Sequence, residues 1–270
     1  MNHRISVIMG IYNCANTLHE ALDSLYSQTY KDFKIILCDD GSTDNTFDVA
    51  KRYADSHNNI VLLRNEKNIK LAATLNRCLD YADTEYVARM DGDDISLPTR
   101  FEKEINFLNK HPEYALVSCA MIYFDETGDF GLGKPLEKPT KLDFRTGTPF
   151  AHAPCMIRTN VIKDVDGYTV NKKLVRGQDY YLWYKIYKKG YKGYNLQEPL
   201  YKMRDDKNAL TRRKFKDRLN FSYIKYLVLK DFKIKFPLYY SFIDLSKAFV
   251  PLPLMSLMHR IRLKNKNLNN

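Results

Sequence analysis

Short apolar runs alternate with amphipathic stretches along the first half of the chain, and this alternation predicts the order of its strands and helices. The runs RISVIMG, FKIILC, NIVLLRN and EYVARM predict four strands. Between them, apolar residues recur at the three- and four-residue spacing of a buried helix face, as at Leu18, Leu22 and Leu25. Strands and helices that alternate in this way form right-handed β-α-β units, so the pattern predicts an α/β fold with a mostly parallel sheet and helices on both faces.

The pattern loosens after Ala115. There, ALVSCAMIYF predicts one or two strands, and the Gly- and Pro-rich stretch that follows predicts a long loop or a small hairpin. AHAPCMIR predicts a further strand, and GQDYYLWYKIYKKG predicts a helix that ends at Gly190.

Charge divides the chain into two unequal parts. Residues 1–200 hold 26 Lys and Arg against 27 Asp and Glu, whereas residues 201–270 hold 17 against 5, so the net charge of +11 belongs to the last quarter. We therefore predict a globular domain over residues 1–200 and a basic, amphipathic helical extension over residues 201–270.

Composition excludes several classes of protein. A hydrophobic content of 44% and a charged content of 28% are ordinary for a globular chain and exclude a disordered or fibrous one. The five cysteines are dispersed without a CxxC pair, which predicts reduced thiols in a cytoplasmic protein, most of them in the core. The apolar run near the N-terminus is too short for a signal peptide and predicts a first strand instead.

Three loops fall where a ligand is expected. In open α/β sheets ligands bind beyond the carboxyl ends of the strands, and GIYNC, CDDGSTD and MDGDD each follow a predicted strand. The last loop places Asp91, Asp93 and Asp94 together, and crowded carboxylates repel one another unless a cation or hydrogen-bond donors lie among them. Such a cluster suits Mg²⁺ or Mn²⁺ with a diphosphate; the alternative is a solvated acidic turn that caps the next helix.

Other ligand-binding signatures are missing from the sequence. It contains no GxGxxG after the first strand, no GxxxxGK[ST] phosphate loop and no GxSxG nucleophile turn. No His and Cys residues cluster at the spacing of a zinc site. We therefore expect the acidic cluster to bind a cation through its carboxylate oxygens.

The segments SVIMGIYNCANTLHEALDSLYSQTY, KIILCDDGSTDNT and YVARMDGDD resemble the opening of family 2 glycosyltransferases. Further segments, GTPFAH, LNRCL, RGQDYYLW and GYNLQEPLYKMRDD, are similar to the EpsE-like glycosyltransferases of bacterial exopolysaccharide clusters. The resemblance implies a GT-A fold, a Rossmann-like nucleotide-binding mixed sheet flanked by helices. It also implies an inverting enzyme that uses a nucleotide sugar.

The resemblance assigns the first two loops to the nucleotide. Tyr12 corresponds to the aromatic residue that lies against the pyrimidine, with Ile11 and Asn13 beside it. Asp40 corresponds to the residue that hydrogen-bonds the base. For Asp39 and Asp40 the alternative role is in the turn and the helix cap.

The resemblance assigns the next two loops to the nucleotide sugar and the metal. Asn68 and Lys70 lie where the loop after the third strand would meet the nucleotide. Asp91 corresponds to the acidic residue nearer the ribose and Asp93 to the one nearer the cation, and Asp94 shares the metal site. A divalent cation, Mn²⁺ or Mg²⁺, is the cofactor that this implies.

Four further positions come from the second half of the chain. Asp179 stands in the place of the catalytic base, with Gln178 where relatives often have Glu. His152 is expected to orient the acceptor or a phosphate; its alternative role is structural. Arg204 stands where many relatives place a His that reaches the metal, and its planar cation suits diphosphate oxygens.

The implied reaction joins a nucleotide-sugar donor to a saccharide acceptor carried on a membrane lipid. The basic extension is expected to rest on an anionic membrane surface, at the inner face of the cell membrane, because its longest uncharged run is too short to span a bilayer. The alternative is that its helices pack on the domain with their cations in water.

The sequence leaves one alternative function open, that of a glycosyltransferase-like protein that acts mainly by binding a protein partner. Nucleic-acid binding is not expected, because the sequence contains no recognisable nucleic-acid-binding module and the acidic loop would repel phosphates without metal.

Overall fold

A nine-stranded mixed sheet forms the centre of the structure, a computed structural model that describes residues 3–205, 215–246, 249–250, 254–255, 258, 260–261 and 263. Its strands are β1 (Ile5–Ile11), β2 (Phe33–Asp39), β3 (Ile60–Arg64), β4 (Tyr86–Arg89), β5 (Ile95–Ser96), β6 (Leu116–Asp125), β7 (Gly128–Gly133), β8 (Met156–Arg158) and β9 (Gly193–Arg204). The helices are α1 (Leu18–Tyr26), α2 (Thr46–Ser56), α3 (Leu71–Leu79), α4 (Arg100–Lys110), α5 (Thr159–Asp164), α6 (Gln178–Lys188), α7 (Phe215–Asp231) and α8 (Pro237–Ser246), with a 3₁₀ helix at Lys141–Arg145.

The order of the strands explains why the sheet is mixed. It runs β3-β2-β1-β4-β8-β6-β9-β5, with β7 paired to β6. The first four strands are parallel, as the alternating pattern predicts, whereas β8 is antiparallel to both β4 and β6. The carboxyl ends of β1, β2 and β4 therefore lie at one edge, where the three loops of the sequence analysis meet.

Helices cover both faces of the sheet. On one face α1, α2 and α4 bury apolar side chains such as Leu22, Val49 and Phe101. On the other face α3, α5, α6 and α7 contribute to a second cluster that includes Trp183 of α6 and Val228 of α7. Helix α7 of the basic extension thus shares the core of the preceding domain.

The predicted division at residue 200 falls inside β9. Residues Tyr201 and Lys202 pair with Ser96 and Ile95 of β5, so the sheet continues past the point where the charge changes. The first helix of the extension within the described residues is α7, Phe215–Asp231. The functional division of the chain into residues 1–200 and 201–270 stays a prediction.

The turn before α2 and the cysteines are two local features of the fold. Helix α2 begins after Asn45, and in the turn before it the hydroxyl of Ser42 donates to Asp39. All five cysteines are free thiols; four are buried, and Cys14 is half-buried. Among the described residues, no helix combines the length and the apolar character needed to cross a lipid bilayer.

Candidate active site

A cleft of about 480 Å³ opens at the carboxyl edge of the sheet. Loops distant in sequence form it, and six of the residues singled out from the sequence lie in its wall: Ile11, Tyr12, Asp40, Asn68, Lys70 and Gln178. The volume is that of a small-molecule site, which is usually about 300–1,000 Å³. The parallel order of β1 and β2 brings the first two loops together, and α3, α6, α7 and the loops before α3 and α6 supply the rest.

The loop after β1 exposes an aromatic ring and forms hydrogen bonds with the loop after β2. The Tyr12 side chain is 46% exposed, which leaves its ring available to stack on a ligand. Asn13 has a positive φ of 48°, and its backbone N–H donates to Ser42 Oγ at 3.0 Å while its side-chain oxygen accepts from Thr43 N at 2.9 Å. Asn13 therefore ties the two loops together beside the cleft.

Asp40 orders the loop that precedes α3. Its Oδ1 accepts from Asn65 Nδ2 at 2.9 Å and from the backbone N–H of Ile69 at 2.8 Å, and its Oδ2 accepts from Lys70 N at 3.0 Å. A carboxylate accepts about four hydrogen bonds, so this arrangement leaves capacity for a ligand donor. The side chain is only 4% exposed, so it is held firmly in the cleft wall.

Asp39 is used inside the turn. It is fully buried, accepts from the hydroxyl of Ser42 and lies 3.3 Å from Arg64 Nε. Two residues further on, Gly41 has a φ of +69°, and a Cβ there would lie 2.7 Å from the backbone carbon of Lys67. Only glycine fits this close approach, so the turn is specified by residue type as well as by charge.

The acidic loop after β4 lies against the same cleft. Carboxylate oxygens of Asp91, Asp93 and Asp94 all lie within 4.8 Å of one another. A Cβ on Gly92 would lie 3.0 Å from Cγ2 of Ile11, which lines the cleft. The acidic cluster therefore adjoins the cleft, although Asp91, Asp93 and Asp94 are not among the residues that line it.

The chemistry of this cluster fits a hard divalent cation. Burial chiefly raises the pKa of Asp94 well above its usual range, and the charges of Asp91 and Asp93 raise it further. Three ionised carboxylates this close are unfavourable without a positive charge among them. Mg²⁺ and Mn²⁺ take oxygen ligands of this kind and complete their coordination with water and substrate phosphates.

Two arginines hold the acidic loop from either side. Arg89 is buried at the end of β4, and its Nη2 pairs with Asp91 Oδ1. Arg204, at the end of β9, donates from Nε to the carbonyl oxygen of Asp93 at 2.9 Å and from its backbone N–H to Asp94 Oδ1 at 2.8 Å. It also pairs with Glu20, so its guanidinium lies beside the cluster and orders it.

Asp179 lies in the first turn of α6, next to the cleft residue Gln178. When its amide is oriented to suit its neighbours, Gln178 donates to the carbonyl oxygens of Val175 at 2.7 Å and Leu174 at 3.1 Å. Burial chiefly raises the pKa of Tyr168, and the charges of Asp179 and Asp91 add to this shift. Asp179 itself is not among the residues that line the cleft.

His152 has a different environment. Its Nε2 lies 2.8 Å from Tyr168 Oη, and its ring packs edge-on against Trp183. Burial holds the pKa of His152 well below its usual range, and the charge of Arg89 lowers it further, so the ring is neutral. His152 lies outside the described cleft wall, an arrangement that matches the structural role weighed for it.

Several side chains of the site escape sequence reasoning. Arg89 interrupts the apolar strand EYVARM, and a charge in a buried strand is a signal that it has a partner. Asn65, which binds Asp40, follows a strand and looks like an ordinary turn residue. Arg176 and Asp217 also line the cleft, and no local pattern marks them because α6 and α7 bring them there.

Comparison with known proteins assigns the chain to a family. The sequence profile described as glycosyl transferase family 2 matches residues 6–219. The chain belongs to glycosyltransferase family 2. This family 2 glycosyltransferase is 41% identical to EpsE of Bacillus subtilis (strain 168) over 265 residues, which are 97% of this chain and 95% of EpsE.

A second relative is more distant. UDP-Glc:alpha-D-GlcNAc-diphosphoundecaprenol beta-1,3-glucosyltransferase WfaP of Escherichia coli is 30% identical over 192 residues, 71% of this chain and 73% of WfaP. A third, amylovoran biosynthesis glycosyltransferase AmsE of Erwinia amylovora, is 34% identical over 214 residues, 77% of this chain and 79% of AmsE.

Solved structures have the same fold. Residues 1–349 of S. aureus TarS in complex with UDP-GlcNAc align with a TM-score of 0.68 at 20% identity, over 92% of this chain and 72% of that one. This chain spans 43% of a longer TarS structure. The mannosyltransferase PcManGT from Pyrobaculum calidifontis, in complex with GDP-Man and Mn²⁺, aligns with a TM-score of 0.62 at 19% identity, over 96% of this chain and 79% of that one. The predicted GT-A fold is confirmed.

Proposed function

We propose that this family 2 glycosyltransferase transfers a sugar from a nucleoside diphosphate sugar to a hydroxyl of a lipid-linked saccharide, with inversion at the anomeric carbon. The product would be part of a bacterial exopolysaccharide or capsule. One observation carries the proposal: the cleft that holds Tyr12 and Asp40 adjoins the acidic cluster at Asp91 and Asp93, because Gly92 lies against Ile11 of the cleft wall.

The donor would lie along the carboxyl edge of the sheet. Tyr12 would stack on the base and Asp40 would accept from it, because the carboxylate retains acceptor capacity after ordering its loop. Lys70 lies in the same wall and would attract the diphosphate, and Asp91 would bind the ribose.

The cation would be held by Asp93 with Asp91 and Asp94. When bound, it supplies positive charge that stabilises the departing nucleoside diphosphate. Arg204 keeps the 91–94 loop in place through its contacts to Asp93 and Asp94, and its guanidinium adds a fixed charge beside the cluster.

Asp179 would act as the general base. It would accept the proton of the acceptor hydroxyl as that oxygen attacks the anomeric carbon, and a single displacement of this kind inverts the configuration. Its neighbour Gln178 is neutral, so the pair lacks the like-charge repulsion of a Glu-Asp sequence. The role of Gln178 would be to fix the start of α6 through the carbonyls of Leu174 and Val175.

The acceptor class is supported by relatives. The name of WfaP specifies a diphosphoundecaprenol-linked acceptor, and that of AmsE specifies biosynthesis of a polysaccharide. A lipid-linked acceptor would place this enzyme at a membrane surface on the cytoplasmic side. The cations of residues 201–270 would favour an anionic leaflet.

The test is calorimetric titration of UDP into the purified protein with Mn²⁺ and then with EDTA. We expect binding that requires Mn²⁺ and is lost in Asp93→Ala. Asp55→Ala, which removes an exposed carboxylate from α2, is the matched control and should bind as the wild type does. UDP binding that survives EDTA and Asp93→Ala would contradict the metal-diphosphate site.

A second measurement addresses catalysis. Nucleotide-sugar hydrolysis or transfer should be lost in Asp179→Asn while UDP binding with Mn²⁺ is retained, because the base acts on the acceptor and not on the nucleotide. If folded Asp93→Ala and Asp179→Asn variants both restored the biological phenotype fully, catalysis would not be what the cell requires of this chain.

A further inference from the structure

An apolar groove of about 740 Å³ lies between α7 and α8. Its walls include Leu219 and Tyr223 of α7 and Leu238, Tyr239 and Phe242 of α8. Each of these side chains is at least 42% exposed, and Phe242 reaches 65%. An exposed apolar surface of this kind on a soluble domain indicates a binding site.

Polar contacts beneath the groove hold the two helices at a fixed distance. Ser222 Oγ donates to the carbonyl oxygen of Ser241 at 2.8 Å, and Ser241 Oγ donates to that of Pro237 at 2.9 Å. The ammonium of Lys225 pairs with Asp244, and both are largely buried. Because the two serine hydroxyls donate within the helix pair, the floor of the groove suits hydrocarbon better than a polar ligand.

Helix α7 contributes to the cleft and to the groove from different faces. Asp217 in its first turn lines the cleft, whereas Leu219 lines the groove. Residues two apart on a helix point about 200° apart, so α7 lies between the two sites. A ligand that occupied both would pass over the loop that precedes α6, which contacts both sites.

Cations mark the junction between the two sites. The ammonium of Lys173 lies 5.1 Å from the centre of the Tyr223 ring, at the wall of the groove. Three positions further along the same loop, the exposed Arg176 lines the cleft. Lys172 is exposed beside Lys173, so this short loop carries three cations between the cleft and the groove.

We propose that the groove between α7 and α8 binds the hydrocarbon chain of the lipid-linked acceptor, and that Lys173 at its mouth meets the phosphate that joins this chain to the sugar. The assignment rests on the proposed function, since it takes the acceptor sugar to lie in the cleft. The sugar of such an acceptor would then lie in the cleft, its phosphate at the cationic loop and its hydrocarbon chain in the apolar groove.

The shape and position of the groove favour this occupant over a bulk bilayer. A surface that inserts into a membrane presents its apolar side chains outwards, whereas these side chains line a concavity between two clamped helices. Charge supports the same choice, because the cations lie at the end of the groove next to the active site. The occupant is therefore a single chain that ends in phosphate at the cleft.

The experiment compares two lipids that carry the same phosphate monoester on different chains. Phosphatidylcholine vesicles are doped with equal mole fractions of undecaprenyl phosphate or of phosphatidic acid, and binding of the full chain is measured by co-sedimentation. We expect tighter binding to the undecaprenyl phosphate vesicles. Phe242→Gln should weaken that binding by about tenfold, because it removes most of the apolar contact that the phenyl ring would make with the lipid chain.

Matched controls separate the groove from general hydrophobicity and charge. Phe236→Gln removes an equally exposed phenyl ring that lies outside the groove, and it should bind as the wild type does. Lys173→Gln should weaken binding to undecaprenyl phosphate, whereas Lys235→Gln, an exposed cation outside the loop, should not.

Several outcomes would overturn the inference. Equal binding to both doped vesicles, or equal loss in Phe236→Gln and Phe242→Gln, would show a general membrane surface. Dissociation of an oligomer in Phe242→Gln would show that a second copy of the chain covers the groove. Binding to neither vesicle would also overturn it.

The donor titration keeps this inference separate from the proposed function. UDP binding with Mn²⁺ needs no lipid, and Phe242→Gln lies outside the donor site, so its UDP affinity should equal that of the wild type. If the wild type failed to bind any nucleotide but still distinguished the two lipids, the proposed function would fail while the groove assignment stood as a lipid site.

Discussion

Buried charges orient the carboxylates of the active site. Arg89 pairs with Asp91 from a fully buried position, and its Nε and Nη1 lie buried without a hydrogen-bond partner in the described structure. Burial of unpaired N–H groups is unfavourable, so a buried arginine beside the acidic loop indicates that its ion pair with Asp91 has a role. Arg89 is therefore a positioning residue, since it acts through another side chain.

We predict that Arg89→Met weakens UDP binding by about tenfold with saturating Mn²⁺, because Asp91, which would bind the ribose, loses the charge that orients it. Folding stability should change little, since two unpartnered buried N–H groups are removed with the ion pair. Arg89→Lys should restore part of the affinity. Calorimetry and thermal unfolding measure the two effects separately, and wild-type affinity in Arg89→Met would refute the positioning role.

Lys70 combines backbone strain with a place in the cleft wall. Its φ of 76° and ψ of 155° lie in a region that non-glycine residues rarely adopt. Its backbone N–H is held by Asp40, and its side chain lines the cleft. The chain has lysine at this position even though glycine would adopt the backbone conformation without strain, which indicates that the ammonium group has a role in the cleft.

We predict that Lys70→Gly raises the free energy of unfolding by about 1 kcal/mol, because glycine adopts this conformation without strain. UDP affinity should fall by about tenfold, since a charge that would meet the diphosphate is removed. The control is Lys67→Gly, which changes an exposed lysine of the same loop and should leave UDP affinity unchanged. Unchanged UDP binding in Lys70→Gly would remove Lys70 from the donor site.

At the scale of elements, α4 is anchored beneath the acidic loop by a buried ion pair. Arg100 and Glu104 are both fully buried one helical turn apart, and Arg100 Nη2 donates to the carbonyl oxygen of Arg89 at 3.0 Å. The helix thereby supports the end of β4, from which the acidic loop departs. Burial raises the pKa of Glu104 to about 7, although the charge of Arg100 opposes this shift.

This raised pKa predicts how stability depends on pH. The usual pKa of the group is 4.5, so between pH 4.5 and about 7 the folded state binds a proton that the unfolded state has released. The contribution of Glu104 to stability therefore falls as pH rises through that window. Urea unfolding should show Glu104→Gln gaining stability relative to the wild type from pH 4.5 to 7, and a constant difference would contradict the shift.

At the scale of the whole molecule, the basic extension completes the fold and the site. Ile224, Val228 and Leu229 of α7 are at least 92% buried against the core of the preceding domain. The same helix carries Asp217 into the cleft wall. The extension is thus built into the catalytic unit, even though its charge sets it apart.

We predict that a fragment of residues 1–205 unfolds at a much lower temperature than the full chain or aggregates. The three buried side chains of α7 contribute about 1.5–3 kcal/mol each, and a domain has about 5–15 kcal/mol in total. A fragment of residues 1–263 keeps every described residue and is the control. Scanning calorimetry compares them, and cooperative unfolding of the shorter fragment at the full-length temperature would make the extension a separable unit.

The sequence by itself determined the local elements and the types of chemistry. Apolar spacing identifies the first four strands and the helices between them, because each pattern arises from a buried face within one segment. The motifs at Tyr12 and Asp40 mark two loops of the cleft, and the motif at Asp91 marks the loop beside it, because residues that follow parallel strands share one edge.

Tertiary structure decided what depends on pairing between distant segments. The reversal of β8 makes the sheet mixed, and the partnership of Arg89 with Asp91 relies on burial that no local pattern specifies. Asp217 enters the cleft, and the groove forms, only because α7 packs on the core and α8 packs on α7. Hydrophobic burial joins these helices. Because the hydrophobic effect is non-directional, the sequence predicts which helix faces are buried but not which other elements they pack against.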